Sequence, residues 1–128
     1  MEMNELNQLS YKVRAAIFSV FKEPGPGLLE SVYETALAQE LSFANLNVCT
    51  QVPIPVYYKG IKQDLGFRLD ILVNNEIIIE VKSIDILLDV HKKQLLTYLK
   101  LANKRLGFLV NFNVAFLVDK ESLIRIIN

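Results

Sequence analysis

The stretch Phe67–Ser83, FRLDILVNNEIIIEVKS, decides how the chain folds. Side chains alternate between the two faces of a strand. Phe67, Leu69, Ile71 and Val73 therefore share one face of a first strand, and Ile77, Ile79 and Val81 share one face of a second. All seven are apolar, so both sets are expected to face one core. A two-residue turn at Asn74-Asn75 would pair Val73 with Glu76 and put the two sets on opposite faces. A three-residue connection, Asn74-Asn75-Glu76, pairs Val73 with Ile77 and brings them together. Asparagine tolerates the left-handed backbone that such a loop needs. The same register sets Asp70 opposite Glu80 and Arg68 opposite Lys82 on the other face.

Two directly opposed carboxylates repel each other. A divalent cation between them relieves that repulsion, and oxygen donors suit Mg²⁺ or Mn²⁺. Lys82, two residues beyond Glu80, adds a positive group able to polarise a phosphate or hold an attacking water. The competing reading is a surface cluster of Asp70, Glu80, Lys82 and Arg68 joined by ordinary salt bridges. Leu72 and Ile78 share the acid pair's face, which implies that other elements cover it, and this favours the site.

Outward from this hairpin, the period changes from two to three-and-four. Residues 4–22 carry Leu6, Leu9, Val13, Ala16, Ile17, Val20 and Phe21 at helical spacing, and Pro24-Gly25-Pro26-Gly27 ends that helix. A second helix is expected from Leu28 to Ala44, with Leu29, Val32, Tyr33, Ala36, Leu37, Glu40 and Leu41 on one broad stripe. Val48–Tyr58 alternates, and Pro53 and Pro55 assign it to a sheet edge because neither donates to a ladder. Lys59-Gly60 turns. Residues 89–101 form a third helix, Leu106–Asn111 and Ala115–Val118 two further strands, and Leu123–Ile127 a candidate last strand. The order α-α-β-β-β-α-β-β gives an α/β class with a mixed sheet, an α+β arrangement on a single domain spanning 1–128.

On the third helix His91, Gln94 and Tyr98 lie on one face. Inward polar groups need partners, and a phosphate, a metal-bound water or the Lys82 amine would serve Gln94 and Tyr98. A core aromatic with its hydroxyl at the rim explains Tyr98 equally well. For His91 an ordinary helix-end hydrogen bond is the better reading. Glu30 lies in the first turn of the second helix, with Tyr33 and Glu34 one turn on. By position alone Glu30 serves the helix dipole.

Composition narrows the class. Basic and acidic residues number 14 each, so the net charge is zero and any nucleic-acid surface must be local. The stretch Lys92, Lys93, Lys100, Lys104 and Arg105 reads as a solvated helix face. Hydrophobic residues make up 52 % of the chain and mean hydropathy is +0.28. That fits a large core, or a core plus a homodimer interface. No apolar run is long enough to span a bilayer, and the polar N-terminus is no signal peptide, so a cytoplasmic protein is expected. The lone Cys49 excludes an intrachain disulfide and a cysteine zinc cage. It is expected as a small, partly buried strand residue, although it could still meet His91 as a nucleophilic pair.

Gly27-Leu28-Leu29-Glu30-Ser31-Val32-Tyr33, followed by Glu34, resembles the signature of the bacterial GxxExxY proteins, small proteins assigned to the PD-(D/E)xK nuclease superfamily. The phrases QVPIPVYYKG, FRLDILV, IIEVKS, HKKQLLTYLKL and LVNFNV resemble that family in the same order. The resemblance covers about Ser10 to Asn128. It implies a restriction-endonuclease-like core with two N-terminal helices. It also implies a metal-binding acid on an early helix, matched by Glu30, with Asp70 and Glu80 as its partners. Lys82 completes the E-x-K strand. Gln94 and Tyr98 match a Q-x-x-x-Y motif of related recombination exonuclease modules. Family members often carry His at the position of Phe21 and Leu at that of Pro24, so no role for a histidine there carries over. The activity implied is Mg²⁺- or Mn²⁺-dependent hydrolysis of nucleic acid, DNA ahead of RNA. A non-catalytic nucleic-acid or protein binding module on the same fold is the alternative.

Overall fold

The computed structural model describes residues 1–128, apart from the side chains of residues 64 and 65. Helices α1 (Met3–Lys22) and α2 (Glu30–Phe43) precede strands β1 (Val48–Tyr58), β2 (Ile61–Val73) and β3 (Ile77–Lys82). Helix α3 (Asp89–Ala102) then leads to β4 (Leu106–Asn111) and β5 (Leu123–Ile127). The five strands form one sheet in the order β1-β2-β3-β4-β5. Only β3 and β4 are parallel, joined through α3 as a parallel pair requires a crossover. The α+β expectation holds, with helices on both faces of a mixed sheet.

Helix α1 buries Leu6, Leu9, Val13, Ala16, Ile17 and Val20, the stripe its spacing predicts. Helix α2 buries a narrower stripe, Tyr33, Leu37 and Leu41. Leu29 and Val32, expected on that stripe, are exposed. The helix ends where Asn45 turns left-handed (φ 63°) and Leu46 N donates to Leu41 O at 3.2 Å. That closing bond satisfies a carbonyl the helix cannot.

Strand β1 lies at the sheet edge, as its two prolines require. Lys59 and Gly60, both at positive φ, make the two-residue turn that pairs Tyr58 with Ile61. The first part of β2, residues 61–66, was not expected as strand. Cys49 is exposed on β1, not partly buried. His91 takes the helix-end role, its Nδ1 accepting from Leu88 N at 2.9 Å.

The connection Asn74-Asn75-Glu76 pairs Val73 with Ile77, as parity demands. Asn74 and Asn75 both sit near φ 50°, and Glu76 N donates to Val73 O at 2.9 Å. Ala115–Val118 is not a strand. The Val118 N–H donates to Ser122 Oγ at 2.8 Å, so that donor closes a loop, and β5 takes the place beside β4. Among the described residues, no helix is long and apolar enough to cross a membrane.

Two cores flank the sheet. Ile71, Val73, Ile77, Ile79, Val81, Leu106, Phe108 and Val110 pack against α1 and α2. Leu69, Leu72, Ile78 and Leu109 pack against Leu95, Tyr98 and Leu99 of α3.

Candidate metal and nuclease site

The alternation of β2 breaks at Asp70. Ile71 and Val73 belong to the α1/α2 core, whereas Leu69 belongs to the α3 core. Phe67 also lies on the α3 side, its ring 5.2 Å from that of Tyr98. The four residues expected on one face are thus split into two pairs. The cause lies across the ladder. Thr50 pairs with Ile71 and Val52 with Leu69, so Gln51 faces Asp70, and Gln51 is left-handed (φ 53°). A left-handed residue interrupts the two-residue period of a strand. Val48 accordingly packs with one core and Val52 with the other.

The β2–β3 ladder runs from Val73↔Ile77 to Ile71↔Ile79 and goes no further. The direct pairs expected at Asp70/Glu80 and Arg68/Lys82 are therefore not ladder pairs. Side chains bridge the gap at the first of them. Val81 N donates to Asp70 Oδ2 at 2.8 Å, and Asp70 N donates to Glu80 Oε1 at 3.3 Å. Each carboxylate takes the place of a missing backbone acceptor. The acids converge as expected, by a different route. Arg68 turns away from them, donating to Gln51 O at 3.3 Å.

Glu80 is only 5 % exposed. Burial and then the neighbouring Asp70 charge push its pKa up to about 9, against a smaller opposing effect of Lys82. At neutral pH the pair therefore carries a proton that a cation can displace. Lys82 is half-buried one turn of the pleat beyond. From α3, the Tyr98 hydroxyl is held above its ordinary pKa by burial, then by the Glu80 and Asp70 charges. It therefore stays a donor. Gln94 lies near it, one turn earlier on α3.

Glu30 begins α2 and stands apart from the pair. Its Oε2 accepts from Ser83 N at 3.2 Å, and Ser83 Oγ donates to Leu28 O at 2.6 Å. Tyr33 explains the turn before it. Its buried hydroxyl donates to Gly25 O and accepts from Leu28 N, while its ring stacks on Phe112 at 4.7 Å. The Gly27-to-Tyr33 run thus fixes where α2 starts and holds Glu30 against the end of β3. Among the described residues, no group of three or more His, Cys, Asp or Glu side chains is gathered closely enough to hold a metal ion.

One residue that the sequence did not mark as part of the site feels the charges of both Asp70 and Glu30. Glu34 has a raised pKa, from burial first, then the Asp70 charge, with Glu30 a smaller contributor. Gln51 Nε2 donates to its Oε1 at 2.8 Å. The available signal was its position four residues after Glu30, on the same helical face. A second residue, buried Asn111, positions the segment after Lys82. Its side chain accepts from Ile84 N and donates to Ile84 O.

No curated protein and no solved structure matches the chain. A family model described as the PD-(D/E)XK nuclease superfamily matches residues 7–126. Nucleases of that superfamily generally depend on divalent metal and act on nucleic acid. With nearly its whole length matched, this chain belongs to the PD-(D/E)XK nuclease superfamily.

Proposed function

We propose that residues 1–128 act as one nuclease module of the GxxExxY type, hydrolysing phosphodiester bonds in nucleic acid, DNA ahead of RNA, with Mg²⁺ or Mn²⁺. The observation that carries this reading is the meeting of two carboxyl groups, half-buried Asp70 bonded to Val81 N and buried Glu80 bonded to Asp70 N, with Lys82 on the same strand. Hard carboxylate oxygens suit these ions. Asp70 and Glu80 would hold the metal, with Glu30 as an outer ligand once it leaves Ser83 N. The bound ion supplies Lewis acidity and lowers the pKa of water.

The protein groups do the rest. The Lys82 ammonium orients the attacking water and balances charge on the phosphate. Water oxygen bonds to phosphorus in line and gives a proton to solvent as the bond to the leaving oxygen breaks, and the leaving oxygen takes up a proton from solvent water. Tyr98 donates a hydrogen bond into the site from α3, and Gln94 fixes the direction of that hydroxyl.

A non-catalytic binding module is the second reading. The placement of Glu30 at Ser83 rather than with the acid pair favours it. Titration calorimetry with Mn²⁺, on wild type and Asp70→Ala, separates the two. The nuclease reading expects a binding event that the variant loses, and metal-dependent cleavage of DNA or RNA by wild type alone. No binding at millimolar metal and no cleavage would sink it. A homodimer would supply further contact surface, and exposed Ile86, Phe116 and Val118 give it apolar groups. Its check is mass in solution.

A further inference from the structure

Beyond Asp70 the sheet narrows to two strands. β2 pairs with β3 only over Ile71–Val73, so between Ile61 and Leu69 its only strand partner is β1. β2 carries a bulge here, the register shifting between Ile54 and Val56, so the reach is set by β1, where Tyr58 lies seven positions from Gln51, the residue facing Asp70. At about 3.3 Å per residue this arm reaches on the order of 20 Å from the acid pair.

The arm's tip contributes nothing to either core. Tyr57 is 61 % exposed, Tyr58 65 % and Ile61 68 %, and Lys59 and Lys62 are exposed beside them. Cross-strand pairing sets Tyr57 against Lys62, and Lys59 Nζ lies 5.6 Å from the centre of the Tyr58 ring. Closer to the site, Pro53, Pro55, Lys62, Gln63, Phe67 and Arg68 line a concavity of about 490 Å³. Residues 48–69 hold Lys59, Lys62 and Arg68 against one acid, Asp64, in a chain whose charges sum to zero. This is the local basic surface that a neutral nucleic-acid-binding chain needs.

The base of the arm adjoins the site on both faces of the sheet. Arg68 donates to Gln51 O at 3.3 Å, and Gln51 donates to Glu34. Phe67 packs on Tyr98. Exposed rings interleaved with lysines suit unpaired bases and their phosphates, since every base offers a face for stacking. In a duplex those faces are already stacked.

We propose that the β1–β2 arm is the docking track for a single strand of nucleic acid. The strand wraps the tip, one base stacking on Tyr57 beside Lys62 and another on Tyr58, which faces the other side of the ribbon; phosphates meet Lys59, Lys62 and Arg68, and the strand leads to Asp70 and Glu80. The direction of the strand rests on the nuclease reading of the acid pair. The test is fluorescence anisotropy in EDTA, with labelled oligothymidylate and oligouridylate of about twenty nucleotides and a matched duplex. Tyr57→Ala/Tyr58→Ala is expected to weaken single-strand binding by about tenfold or more. Lys59→Ser/Lys62→Ser is expected to reduce the salt slope by about 1.4. All four side chains are exposed, so melting temperatures should stay at the wild-type value.

Variants that bind within about twofold of wild type, or a wild type that prefers duplex by about tenfold, overturn the inference. So does a wild type that binds none of the three probes. A wild type that binds through the arm but cleaves nothing with Mg²⁺ or Mn²⁺ leaves the track standing and removes the nuclease reading. Metal-dependent cleavage with arm variants undiminished does the reverse. Whether thymidylate or uridylate binds tighter decides between DNA and RNA as the strand.

Discussion

The two faces of the sheet follow different rules. Toward α1 and α2 it presents Ile71, Val73, Ile77, Ile79, Val81, Phe108 and Val110, with no charged group among the buried residues of that core. Toward α3 it presents Leu69, Leu72, Ile78 and Leu109 around the polar ring of Tyr98, with Glu80 buried close by. The first face stabilises the fold by apolar burial alone. The second holds two adjacent carboxyl groups, one of them buried, and ionising both there opposes folding. A destabilised cluster persists only where the surroundings fix it, and the α1/α2 core is what fixes the strand carrying Glu80.

Breaking each face in turn should separate stability from activity. Glu80→Gln keeps the volume and an acceptor for Asp70 N but removes the ionisable group. Cleavage is expected to fall by at least about a hundredfold, since a ligand of the metal is lost. At pH 8 the variant's melting temperature should equal or exceed that of wild type. Ile79→Ala cuts the opposite face one residue away. It should lower stability by about 2–5 kcal/mol through lost burial and a cavity, while folded molecules keep their activity. A Glu80→Gln protein that cleaves like wild type would dissolve the distinction.

The same contrast predicts a pH dependence. The folded pKa of Glu80 is about 9, above its ordinary value of 4.5. Between those values the folded state holds a proton that the unfolded state has released. Stability is then full below the unfolded pKa and falls as pH rises through the folded one. In metal-free buffer the melting temperature should drop by several degrees between about pH 5 and pH 9. Glu80→Gln should flatten that slope. Mn²⁺ should raise the melting temperature most at the alkaline end, where the metal no longer competes with a proton. A profile unchanged by Glu80→Gln would assign the slope to other groups.

Much of this was legible in the chain. The even sum of paired positions fixed the Asn74-Asn75-Glu76 connection, because misplacing Ile71, Val73, Ile77, Ile79 and Val81 would cost far more than any turn preference. It also implied the meeting of Asp70 and Glu80. What parity could not show was its own breakdown. Gln51 adopts a left-handed backbone with no glycine or asparagine to announce it, and Leu69 changes face as a result. Glu34 was hidden for a related reason. Its role depends on how α2 packs against the kink at Gln51, a long-range contact with no trace in local spacing. Ala115–Val118 misled because an apolar run reads as strand, whereas Ser122 takes the Val118 N–H for a loop.

Tyr98 tests where the two rules meet, since its ring belongs to the α3 core and its hydroxyl to the acid pair. Tyr98→Phe keeps the ring against Phe67, so stability should change by less than about 1 kcal/mol. The hydroxyl is a donor at every pH of interest, because burial and the Glu80 and Asp70 charges hold its pKa high. A donor aimed at developing charge acts on the chemical step more than on binding. The expectation is a fall in kcat of about tenfold with KM nearly unchanged. Gln94→Ala should show a smaller loss in the same direction, because it only orients that hydroxyl. If Tyr98→Phe cleaves at the wild-type rate, Tyr98 is a core aromatic with its hydroxyl at the rim. The acid pair and Lys82 would then make up the whole of the catalytic face.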